Sequence, residues 1–82
     1  MKRNQQPEVF RPKSGIELMH AISENRPCEF EGQGANRAVA YLKARVEGDC
    51  NVLDSGREGW QLVIPTQAIA SNCRRWLRNQ KS

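Results

Sequence analysis

The sequence predicts a small α+β domain in which helices pack on a small antiparallel sheet, in the order helix, strand, helix, β-hairpin, helix. Two apolar segments, Cys50 to Leu53 and Trp60 to Ile64, flank a polar linker with glycines at 56 and 59, the pattern of a hairpin with a longer loop. Such a hairpin is marginal alone in water, so helices must cover its apolar face. The two-residue period of a strand puts Trp60, Leu62 and Ile64 on that face and Gln61 on the other. Helix signals stand on both sides of the hairpin, and 82 residues bound the chain to one domain with one modest core.

Residues 1–13 combine lysines, arginines, amides and two prolines with only Val9 and Phe10 as apolar anchors, a composition that does not repay ordering. A flexible basic tail pinned at Phe10 is expected, with the domain over 14–78 and a short tail over 79–82. Ser14-Gly15-Ile16-Glu17 is a capping-box pattern that opens the first helix. Ile16, Leu18, Met19, Ala21 and Ile22 supply its apolar stripe, and Asn25-Arg26-Pro27 ends it. Cys28-Glu29-Phe30-Glu31 alternates as a short strand with one wet face, leaving Glu29 and Glu31 exposed. After a Gly32-Gln33-Gly34 turn, Asn36 is the expected N-cap of a second helix running through Glu47, with Gly48 as its stop. Ala35, Ala38, Val39, Leu42 and Val46 form its apolar side. Pro65-Thr66 closes the hairpin and caps a third helix, on which Ile69, Cys73, Trp76 and Leu77 recur at helical spacing.

This order resembles that of the winged-helix class, in which a hairpin follows a helix that enters the major groove. The likeness is topological. Residues 32 to 49 hold one helix where that class carries two, so two-helix winged domains of the phage excisionase kind fit better.

Thirteen Lys and Arg against nine Asp and Glu give a net charge of +4, unevenly spread. Residues 1–13 carry +3, residues 66–82 carry +4 with no acid, and residues 14–65 carry −3. Attraction for nucleic acid is therefore expected from the ends. The three cysteines, 28, 50 and 73, lie 22 and 23 residues apart without a C-x-x-C pair, which argues against a disulfide framework or a zinc site. They read as reduced, buried thiols of a cytoplasmic protein. No apolar run suits a membrane span or a signal peptide, and no cofactor motif is present.

Arg74-Arg75-Trp76-Leu77-Arg78 is the most suggestive segment, because arginines contact phosphates and a tryptophan can stack on a base. The spacing of Trp76 with Ile69 and Cys73 favours the core for the tryptophan, and the arginines can bind while it packs. Gly32-Gln33-Gly34 is a G-x-G turn, but Arg37 stands where a dinucleotide fingerprint has its last glycine. Arg37 in a first helical turn also opposes the helix dipole, a cost that Glu29 or Glu31 is expected to relieve. Lys43 and Arg45 add charge to the second helix, and Arg57 tips a loop whose Asp54 and Glu58 outweigh it. His20, the single histidine, reads as an exposed helical residue. No constellation points to an enzyme.

Two functions follow as expectations. One is an accessory or regulatory protein that binds nucleic acid, DNA rather than RNA, through Arg74, Arg75, Arg78, Arg37, Lys43, Arg45 and Arg57. The other is a protein-binding inhibitor or adaptor of the mobile-element kind, acting through Glu29, Glu31 and Tyr41 on an acidic centre. Exposed edge strands would give a domain this small the means to form a homodimer.

Overall fold

The computed structural model describes residues 9–80. The first eight residues of the expected basic tail, and Lys81 and Ser82, lie outside the described residues. The order is α1 (Gly15–Ser23), β1 (Cys28–Glu31), α2 (Gly34–Lys43), β2 (Cys50–Asp54), β3 (Trp60–Pro65) and α3 (Gln67–Asn79). It is the predicted α+β domain, three helices on a three-stranded antiparallel sheet of order β1-β3-β2.

Local chemistry sets most boundaries. The Ser14 hydroxyl accepts from the Glu17 amide at 3.2 Å, while the Glu17 carboxylate accepts from the Lys13 amide at 2.8 Å, so α1 begins as its capping pattern predicts. It ends in a Schellman turn. Arg26 N–H donates to Ala21 O, Asn25 N–H donates to Ile22 O, and Asn25 takes the left-handed conformation at φ 64°. Thr66 caps α3 by accepting from the Ile69 amide at 3.3 Å.

The second helix differs from expectation at both ends. It starts two residues before Asn36, with Gln33 as N-cap, and the Asn36 amide donates to the Gln33 side chain at 2.8 Å. The chain turns from β1 into α2 so tightly that a Cβ at Gly34 would stand 3.0 Å from the Phe30 Cβ. At the other end α2 stops at Lys43 rather than Glu47. The carbonyls of Glu47 and Asp49 accept from Asn72 at 2.7 Å and from Thr66 at 2.8 Å. Segment 47–49 is thereby drawn onto the start of α3 and cannot continue a helix.

The face of the hairpin is the larger correction. Cys28 pairs with Val63 and Val63 with Val52, so these three share one sheet face, and it is this face that the helices cover. Trp60, Leu62 and Ile64 lie on the opposite face with Glu29, Glu31 and Leu53. β1 has apolar residues only at 28 and 30, so its alternation decides which side of the sheet is buried. β3 is apolar on both faces and follows that choice. The core gathers Met19 and Ile22 from α1, Leu42 from α2, Ile69 and Cys73 from α3, and Cys28 and Val63 from the sheet, all fully buried. Among the described residues no helix is long and apolar enough to cross a membrane.

Candidate nucleic-acid interface

Helix α2 buries Ala35, Ala38 and Leu42, which leaves Gln33, Asn36, Arg37, Ala40 and Lys43 on its solvent face at helical spacing. That face carries two cations, two amides and a central alanine. From Gly32 to Val46 the chain has no acid at all, inside a middle region that is acidic as a whole. Arg37 stands in the first turn, where no acidic side chain offsets the helix dipole. The expected relief by Glu29 or Glu31 does not form. Glu29 is taken by Arg11 and Arg57, and among the described residues Arg37 makes no ion pair.

Past the end of α2 the Arg45 guanidinium lies 3.6 Å from the Tyr41 ring centroid and donates to the Tyr41 carbonyl at 3.0 Å. This stacking fixes Arg45 over a groove of about 250 Å³, lined by Arg45, Asn72, Arg75, Trp76 and Asn79 together with segment 46–47. Arg75 donates to Asn72 at 3.3 Å. Trp76 is half-buried, packing against the core while one side lines the groove. Lys43 is held at 3.4 Å by Asp49.

The other arginines on α3 are placed differently. Arg74 donates to the Ser23 carbonyl at 2.6 Å and ties α3 to the end of α1. Arg78 sits on that same side, along a groove with Ile16, His20 and Leu77. Of the seven basic residues read from the sequence, Arg37, Lys43, Arg45 and Arg75 lie along α2 and its junction with α3. Arg74 and Arg78 face the α1 side, and Arg57 belongs to the far face of the sheet. Asn36, Asn72 and Asn79 stand beside these cations, and as amides they carry no charge signal in the sequence. The acid-free run from 32 to 46 was the sequence feature that marks the α2 surface.

Glu29, expected in solvent, is 4% exposed. Its carboxylate accepts from Arg11 at 3.0 Å and meets Arg57 at 3.6 Å. Both guanidinium groups also lie over the Trp60 ring, at 4.8 and 4.6 Å from its centroid. The segment before α1 and the hairpin loop thus close over what the alternation of β1 makes a wet face. Burial pushes the carboxyl upward, but hydrogen bonds from Ser55 and Arg11 and the charges of Arg11 and Arg57 outweigh it and hold Glu29 below its ordinary range. A depressed folded-state pKa contributes stability that is complete above the ordinary carboxylate range and is lost as pH falls through the folded value. The melting temperature is expected to drop on acidification from about pH 5 toward pH 3, and Glu29→Gln to flatten that limb, as thermal melts over a pH series would read. An unchanged limb in the variant would assign the acid response to other carboxylates.

The same closure removes Glu29 from any protein-binding surface. Glu31 is exposed at the end of β1, and Tyr41 lies under Arg45 in the helical layer, so the three residues of the protein-binding reading do not meet. Cys28 and Cys73 are fully buried, with burial pushing their thiols up to about 12 and about 11. Both stay protonated and unreactive at neutral pH. Cys50, expected to be buried, is half-exposed because its strand is at the edge of the sheet. Among the described residues no group of three or more His, Cys, Asp or Glu could hold a metal ion. Compared with protein-family models, curated proteins and solved structures, the chain gives no match.

Proposed function

We propose that this domain binds duplex DNA as an accessory or regulatory factor, with the solvent face of α2 in the major groove and Arg45 and Arg75 on flanking phosphates. The observation that carries the reading is Arg37: a cation in the first turn of a helix, with no acid beside it, on a face whose other long side chains are Gln33, Asn36 and Lys43. An anionic partner relieves the unfavourable dipole. Asn and Gln are the side chains that pair with adenine edges, and Ala40 lets the helix approach closely. Duplex DNA fits a helical reader better than RNA does, because the major groove of B-form DNA admits an α-helix and that of A-form RNA does not. The hairpin loop plays little part, since Arg57 is turned back onto Glu29 and the loop's remaining charges are Asp54 and Glu58.

Fluorescence anisotropy of the full chain with duplex DNA, single-stranded DNA and structured RNA at two salt concentrations tests this. Duplex DNA is expected to bind tightest. With Arg37, Arg45 and Arg75 each neutralising one phosphate, the slope of log K against log salt should be roughly −3. Absence of binding to duplex at low salt, or tighter binding to single strands, would sink the proposal.

A further inference from the structure

Strand β2 is an edge strand whose free side no other described element covers. The ladder shows which groups face outward. Ser55 N–H donates to Trp60 O at 3.2 Å, and by the alternation of antiparallel pairs Leu53 and Asn51 likewise bond to β3. Cys50, Val52 and Asp54 therefore aim their N–H and C=O groups away from the sheet. The opposite edge is closed, because Glu29 N–H donates to Phe10 O at 2.9 Å. Monomeric proteins blunt an open edge with charged side chains, proline, a bulge, a covering element or a very short strand; the five-residue β2 has no lysine, proline or bulge, and its one charge, Asp54, stands at its end. Its centre is instead Val52 and Leu53, 37% and 52% exposed on opposite faces.

We propose that β2 pairs antiparallel with β2 of a second copy about a two-fold axis at Val52, joining two three-stranded sheets into one of six strands. This register sets Val52 against the second copy's Val52, and each Cys50 against the other copy's Asp54. All three outward-facing residues then fall in hydrogen-bonded pairs. On the helical face a row of valines, 63, 52, 52 and 63, runs unbroken across the axis, and Leu53 gains cover on the outer face.

The occupant is a second copy because the strand is self-complementary about Val52, and charge and strand length then narrow the register. Centring the axis on Asp54 would bring two carboxylates together, and centring it on Cys50 would leave Leu53 and Asp54 beyond the paired segment. With Val52 on the axis, each Asp54 arrives beside Cys50, next to the Asp49 that Lys43 holds at 3.4 Å. Pairing two five-residue strands covers less than the roughly 800 Å² per partner of a standard interface, so a micromolar dimer is expected.

Sedimentation velocity of the full chain across the micromolar range, without nucleic acid, tests the pairing independently of the DNA reading. The wild type is expected to shift from monomer to dimer. Val52→Glu and Val52→Lys each oppose like charges across the axis, and each should weaken association at least about tenfold while the chain stays folded, as circular dichroism at a concentration where the wild type is monomeric would read. Mixing the two variant chains in equal amounts should restore the dimer, glutamate against lysine. A wild type that stays monomeric, a dimer that both substitutions leave intact, or a mixture that fails to associate overturns the proposal.

Discussion

Gly48→Ala is expected to destabilise the domain by about 2–4 kcal/mol, a large part of what a fold of this size has to lose. Two independent causes add at this position. The backbone sits at φ +125°, where side chains other than hydrogen are strained, and a Cβ there would stand 2.8 Å from the Ile69 Cβ and 3.0 Å from its Cα. Ile69 cannot move aside, because it is fully buried and its amide is fixed by the Thr66 cap. Relief must come from displacing segment 47–49, which breaks the hydrogen bonds from Asn72 and Thr66 to that segment. The melting temperature should fall by roughly 10–25 °C. Gly56→Ala separates the two causes, since Gly56 has φ +97° but nothing within 4 Å of a new Cβ. It should cost about 1–2 kcal/mol. Equal losses for the two variants in urea denaturation would mean that the Ile69 contact contributes nothing.

The same junction explains what could and could not be read from the chain. Both helices with a side-chain cap, α1 at Ser14 and α3 at Thr66, were legible because a hydroxyl positioned three residues before the amide it satisfies is a local signal. Helix α2 was misplaced at both ends for the converse reason. Its N-cap residue, Gln33, makes no side-chain cap bond, and its C-terminal limit is set by Asn72 and Thr66, which are distant in sequence. The hairpin face could not be chosen from β3 alone, where Leu62, Val63 and Ile64 are apolar in succession. It follows from pairing with β1, whose alternation is unambiguous only once the two strands are known to be neighbours. Glu29 illustrates the same dependence, since the period-two rule gives its face but not the arrival of Arg11 and Arg57 over it.

For the DNA proposal, the arginine cluster that stands out in the sequence is not the one to remove. Replacing Arg74 together with Arg75 and Arg78 would confound binding with folding, because Arg74 holds the Ser23 carbonyl at 2.6 Å and joins two helices. Arg74→Ala alone is expected to cost about 1–2 kcal/mol and to leave DNA affinity unchanged where the protein is still folded. The triple variant Arg37→Ala, Arg45→Ala, Arg75→Ala should do the reverse. Arg45 donates to and stacks on Tyr41, one turn back in the chain, and Arg75 donates to Asn72 within α3, so no hydrogen bond or ion pair between distant elements is lost and the melting temperature should hold. Each arginine lost removes about one unit from the salt slope, and the three together should weaken duplex binding by roughly 10²–10³ at low salt. The flattened slope separates this outcome from a general loss of folded protein, which would lower the active fraction and leave the slope as it was. If instead the triple variant binds as the wild type does, the surface is not the α2 face, and the remaining cations of α3, Arg74 and Arg78 on the α1 side, become the ones to test.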